Sequence, residues 1–137
     1  MSWADSLIKL STYEVEILQK RLATIQERRA AAEERLVALD EEGQAEATRA
    51  RADAEHGWYQ LGFLEGLRLR KAKVRAEIEE IKAEEVGARD ALSQAFEEQK
   101  KYEHVAENIR LAKLKALDRL EAAQMDEMGL RKAAVVR

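Results

Sequence analysis

GWYQLGFLEGLRL, residues 57–69, differs in kind from the sequence on either side of it. Gly57, Gly62 and Gly66 are half of the chain's 6 glycines, and they stand among Trp58, Tyr59 and Phe63. Glycine reaches the positive φ values that a helix C-cap or a tight turn requires. The stretch therefore marks a reversal of the chain, predicted between residues 50 and 66 and nearest Gly57. Outward from it in both directions the sequence is helical in character. No proline occurs in 137 residues, 37% of them are charged, and alanine, glutamate, leucine, lysine and arginine supply most of the remainder. These are strong helix formers, and proline is the strongest breaker. The expectation is a first helix over about 3–55 and a second over about 60–134.

Each flank carries its own heptad. In the first, Ile8, Val15, Leu22 and Leu36 share one seam position, and Leu18, Ile25, Ala32 and Leu39 share the other. Alternating steps of three and four residues keep them on one narrow stripe. Arg29 falls on that seam. Past Leu39 the leucines stop, and residues 41–55 keep only alanine on the apolar side. In the second flank, Leu67, Val74, Ile81, Ala88, Ala95, Tyr102, Ile109 and Ala116 form one row. Ile78, Leu92, Ala106 and Leu120 form the other, interrupted by Glu85, Gln99 and Lys113. Ser2 and Asp5 match the S-x-x-D form of a capping box and place the first helix start near residue 3.

Two seams on either side of one break predict an all-α fold, a single long antiparallel two-helix coiled-coil hairpin with both termini at one end. At 1.5 Å per residue, arms of ~55 and ~70 residues give a rod on the order of 80–100 Å. Arg29 and Glu85 are equidistant from Gly57, so a hairpin centred there sets the two charged seam residues level and able to pair.

Composition narrows the function. Catalysis needs a water-excluding pocket, and 2 Trp, 3 Tyr and 2 Phe leave little to line one. No glycine-rich phosphate loop or nucleophile elbow is present. His56 and His104 are the only histidines, and Glu103-His104-x-x-Glu107 lacks the paired histidines of a zinc helix. No cofactor is expected and no enzymatic activity. Net charge is -3 with both signs interleaved, which argues against bulk binding to nucleic acid or an anionic membrane. Asp5, Lys9, Glu14 and Glu16 interrupt any apolar run long enough for a signal peptide or membrane span, and the chain reads as cytoplasmic.

Three clusters stand out on this background. Arg68, Arg70, Lys71, Lys73 and Arg75 form a basic run past the break, either a solvated helix start or a patch for an acidic partner or nucleic acid. Phe63, Leu64 and Leu67 sit beside it, where a two-helix hairpin has least to cover them. They are either a protein-binding tip or a local cluster sealing the turn. Ile109, Leu111, Leu114, Leu117 and Leu120 spread over more than one helix face, although a single partner helix needs only a narrow stripe. Either a larger partner wraps them, or Trp3, Leu7 and Leu10 cover them.

The runs LQKRLATIQERRAAAEERLVALDEE (residues 18–42), YQLGFLEGL (residues 59–67) and AAQMDEMGLRK (residues 122–132) resemble, in order, the first helix, the aromatic-rich start of the second helix and the C-terminal signature of the FliJ family. These are small coiled-coil components of the bacterial flagellar type III export apparatus, and the resemblance spans nearly the whole chain. It implies an antiparallel coiled coil similar to the central stalk of rotary ATPases. Such a stalk inserts into the hexameric ring of the export ATPase and promotes its assembly and hydrolysis without hydrolysing ATP itself. It also implies binding to the export-gate membrane protein and interaction with export chaperones, in the cytoplasm at the membrane-bound apparatus. The family's gate-binding phenylalanine and leucine, four residues apart, correspond to Phe63 and Leu67, with Arg68 and Lys71 beside them as charged neighbours. Where the family pattern has small and histidine residues, this chain has Arg70 and Val74. Leu111, Leu114 and Leu117 are the candidates for the ATPase ring. The rival reading is a generic coiled-coil scaffold or adaptor using the same heptads.

Overall fold

The structure is a computed structural model describing residues 3–52 and 57–136. These are entirely helical. Helix α1 runs Trp3–Ala52 (50 residues) and helix α2 runs Gly57–Val136 (80 residues). The two pack against each other as a helical hairpin, as the paired heptads predict. Asp5 in the first turn of α1 and Arg49 and Arg51 in its last complement the helix dipole. The predicted cap residue Ser2 and residues 53–56 lie outside the described residues. Gly57 opens α2, whereas Gly62 and Gly66 lie inside it, and no described glycine has a positive φ. The glycine-rich stretch is thus mostly helix, and Gly62 and Gly66 take no part in a turn.

Contacts divide the chain into two bodies, Val15–Gln94 and Met1–Glu14 with Ala95–Arg137. In the first, Ile25, Ala32, Val74, Ile78, Ile81 and Ala88 form the core, with Leu22, Leu36 and Leu39 packed against it. These are the predicted seam residues of both arms. Ion pairs flank them: Arg28 to Glu84 at 2.7 Å, Arg35 to Glu77 at 2.8 Å, Lys71 to Asp40 at 2.6 Å and Arg70 to Glu42 at 3.8 Å. The α1 number rises as the α2 number falls, so the arms are antiparallel in one register. Exposed pairs contribute little stability each, and their main effect here is to disfavour a shifted register.

Inside the seam, Arg29 and Glu85 meet as expected, Nε to Oε2 at 3.3 Å. The other carboxylate oxygen of Glu85 is held by Arg89 Nη2 at 3.1 Å, and the Glu85 side chain is only 7% exposed. Burial alone pushes this carboxyl group's pKa up. Hydrogen bonds donated by Arg89 and Gln26, with the charges of Arg29 and Arg89, outweigh burial and hold it below the ordinary carboxylate range.

The stretch after Leu39 has a packing role that the sequence reading missed. A Cβ on Gly43 would lie 2.7 Å from Leu67 Cδ2, so the missing side chain is the space Leu67 occupies. The heptad in fact continues, since Gly43 follows Leu36 by seven and Glu46, itself buried, follows Leu39 by seven. Small and acidic residues at those positions hid it.

In the second body the buried residues are small: Ala4, Ser11 and Ala95. The Ser11 hydroxyl donates to the Ile8 carbonyl at 2.9 Å, which satisfies it within its own helix. Gln99 Nε2 donates to Thr12 Oγ1 at 2.9 Å and ties the arms together here. Trp3 precedes Thr12 by nine positions, and nine positions beyond Gln99 is Asn108. There α1 runs out. Ile109 is half-buried, and every residue from Arg110 to Val135 is exposed. Lys113, Ala116 and Leu120, expected on the hairpin's seam, therefore have no α1 residue opposite them.

Gly62 has nothing within 4 Å of an added Cβ. Gly62→Ala should stabilise the protein by about 0.5–1 kcal/mol through helix propensity. Gly43→Ala should lose that gain to crowding, which typically costs about 1–3 kcal/mol, and should recover it in a Leu67→Ala background. Thermal melts of the four variants check both statements. The pH dependence follows from Glu85. Its folded-state pKa is depressed, so its contribution is complete above the unfolded-state pKa and lost as pH falls through the folded one. The thermal midpoint should drop between roughly pH 5 and 3, with a shallower drop in Glu85→Gln.

Candidate protein-binding surfaces

Near the start of α2, four side chains are expected to form one contact surface, and the structure divides them. Leu67 is 3% exposed and packs on Gly43. Lys71 reaches across to Asp40. Both are engaged by the hairpin itself, so the expectation that the facing arm leaves Leu67 uncovered is not met. Gly43 explains this, because a bare backbone lets the leucine settle between the arms. Phe63 is half-buried. Arg68 is exposed and grips Glu65 with two hydrogen bonds, Nη2 to Oε1 at 2.6 Å and Nε to Oε2 at 3.2 Å. That pairing lowers the carboxyl pKa of Glu65 and raises that of Arg68.

The exposed apolar side chains here are Leu61, Leu64 and Leu69, with Leu61 at 82% and Leu64 at 40% exposure. Leu61, Leu64 and Arg68 follow i, i+3, i+7 spacing and share one face of α2. This face, bordered by Phe63, is what the start of α2 offers to a partner. Leu61 was missed in the sequence, although its spacing from Leu64 and Arg68 was available as the signal.

The far part of α2 presents a larger surface. Leu111, Leu114, Leu117 and Leu120 are 44%, 47%, 56% and 60% exposed, and Met125, Met128 and Leu130 are more or equally so at 73%, 60% and 73%. Trp3 and Leu10 are themselves 64% and 65% exposed and Leu7 is half-buried, and with the four leucines exposed the three do not cover them as one reading of the sequence expected. Contiguous exposed apolar groups on a soluble surface mark interaction sites. Arg110 pairs with Glu107 at the base of this stretch and lowers that carboxyl pKa. Among the described residues no group of three or more His, Cys, Asp or Glu side chains is placed to hold a metal ion, and no helix is long and apolar enough to cross a membrane.

Chemistry and geometry together describe a helical hairpin with two exposed apolar surfaces, one near the start of α2 and one along its last third. Comparison with known proteins gives this a family. No family profile and no solved structure matches the chain. It is nevertheless similar to the flagellar FliJ proteins of two Caulobacter vibrioides strains, being 55% identical to each over 133 residues, which cover 97% of this chain and 96% of the relative. A likeness of that degree over nearly the full length of both chains makes this protein a member of the FliJ family of flagellar proteins.

Proposed function

We propose that this protein is a non-enzymatic component of flagellar type III export, acting in the cytoplasm at the membrane-bound apparatus. It binds and stimulates the export ATPase ring as a central-stalk-like element, contacts the export gate, and meets export chaperones. The observation that carries this reading is the run from Arg110 to Val135, a long helix with exposed leucines in a chain of the FliJ family. A stalk must present a stiff apolar element that its own fold does not consume. Helix α2 does so because α1 is the shorter by 30 residues, 50 against 80. Stimulation then follows from population shift, the helix binding some ring conformations better than others.

Leu111, Leu114 and Leu117 are the ring contacts in this proposal. They are exposed, so replacing all three by serine should leave the thermal midpoint nearly unchanged. Affinity for the ATPase should fall by about tenfold or more, and stimulation with it. An ATPase titration beside a thermal melt decides the matter. If the unaltered protein fails to stimulate the ATPase at all, the generic scaffold reading takes its place.

For the gate, the contact face is Leu61, Leu64 and Phe63, with Arg68 tuning the salt dependence of association. Phe63→Ala and Leu64→Ala should weaken gate binding about tenfold or more while ATPase binding persists. Leu67→Ala should act differently, removing a buried side chain at a cost of about 2–5 kcal/mol in stability. Any loss of gate binding in that variant should follow the loss of fold. Unchanged gate affinity in Phe63→Ala and Leu64→Ala would reject the assignment.

A further inference from the structure

Beyond Ile109, α2 carries apolar side chains that no described residue of its own chain covers, and their charged neighbours are arranged unevenly. Residues 110–119 contain Arg110, Lys113, Lys115 and Arg119 against the single acid Asp118. Residues 120–129 contain Glu121, Asp126 and Glu127 and no basic residue. A helix with one basic half and one acidic half complements itself when a copy lies antiparallel to it, and repels itself when the copy is parallel. From this we propose that the protein self-associates through this stretch, two copies of α2 pairing antiparallel about a two-fold axis at Leu120.

The register follows from symmetry, because in an isologous contact each residue meets the same partner in both copies. With Leu120 on the axis, Arg119 is level with Glu121 of the second copy, and Lys113 with Glu127 of the second copy. Leu117 comes level with Ala123, three residues either side of the axis and on the same face as Leu120, so a large side chain meets a small one. Glu127 now has only Arg131 at 3.8 Å, an exposed and stretched pair that can open to admit a lysine. The seam is continuous with the one the hairpin already uses, since Lys113 and Leu120 extend its heptad and Glu127 follows Leu120 by seven. Lys113 facing Glu127 repeats at the contact between copies the device that Arg29 and Glu85 form inside the hairpin. An overlap of about twenty residues is close to three heptads, the length at which a two-stranded coiled coil becomes a credible unit. A chain paired in this way has Leu117 and Leu120 covered, so any other partner of the same face must first separate the copies.

Sedimentation velocity of the intact protein, from low to high micromolar concentration, should show a monomer–dimer equilibrium. Lys113→Glu with Arg119→Glu, and separately Glu121→Lys with Glu127→Lys, should each weaken the dimer at least about tenfold with helicity retained. An equimolar mixture of the two variants should dimerise again, because the acidic copy then faces the basic one. Rescue of this kind excludes misfolding as the cause. The chain has no cysteine, so Leu120→Cys should oxidise to a disulfide-linked dimer while Leu111→Cys should not. A monomer at every concentration, dimers unaffected by either charge reversal, a mixture that stays monomeric, or equal cross-linking at 111 and 120 would each overturn the proposal.

Discussion

A carboxylate removed from water needs a cation and hydrogen-bond donors held where its oxygens are, since the desolvation cost of an unpaired buried charge is several kcal/mol. Glu85 sits in the seam at 7% exposure with Arg29 of the opposite arm on one oxygen and Arg89 of its own helix on the other. Sliding one arm past the other by a heptad would bring an apolar residue to Glu85 in place of Arg29 and leave only Arg89 of its own helix to offset its charge. The aliphatic seam by itself would tolerate such a slide, because Ile25, Ala32, Ile78, Ile81 and Ala88 repeat the same pattern at every turn pair. The polar layer adds little net stability, as buried ion pairs rarely do, and what it contributes is a single register. Gly43 strengthens the same choice, being the one residue of α1 without a side chain, where Leu67 can settle.

Near the N-terminus the Thr12–Gln99 hydrogen bond plays a comparable part with uncharged groups. In that register α1 begins level with Asn108, and the remainder of α2 has no partner among the described residues. Alanine and serine at Ala4, Ser11 and Ala95 let the helices approach closely but bury little apolar area. The exposed leucines and methionines beyond Ile109 are therefore the larger apolar resource of this body. Membership of the FliJ family, in which the resemblance implies an export stalk, accords with a helix arranged in this way.

Much of this was legible from residue spacing. The heptads of Ile8 to Leu39 and Leu67 to Ile109, the antiparallel pairing and the meeting of Arg29 with Glu85 all follow from periodicity and one glycine-marked break. What was not legible depended on where α1 ends against α2. Leu120 and Ala116 obey the heptad as well as Ile81 does, yet they are exposed because no residue of α1 remains to face them. Gly62 and Gly66 illustrate the opposite error. Glycine permits a turn without requiring one, and flanking helix formers keep both inside α2. Leu67 was read both as the first residue of the second seam and as an uncovered residue beside the turn, and its burial bears out the seam, with the missing side chain of Gly43 making the room for it.

The account depends most on the claim that the Arg29–Glu85 layer selects the register. Spin labels at positions 31 and 83, both small and exposed alanines close to that layer, report the alignment of the arms directly. With Arg29 and Glu85 intact, the distance distribution between them should be single and narrow. With both replaced by leucine it should broaden or split into populations displaced by heptad steps, while the thermal midpoint does not fall. A distribution as narrow in the leucine variant as in the parent protein would contradict the claim, and would mean that packing alone fixes how the two helices align.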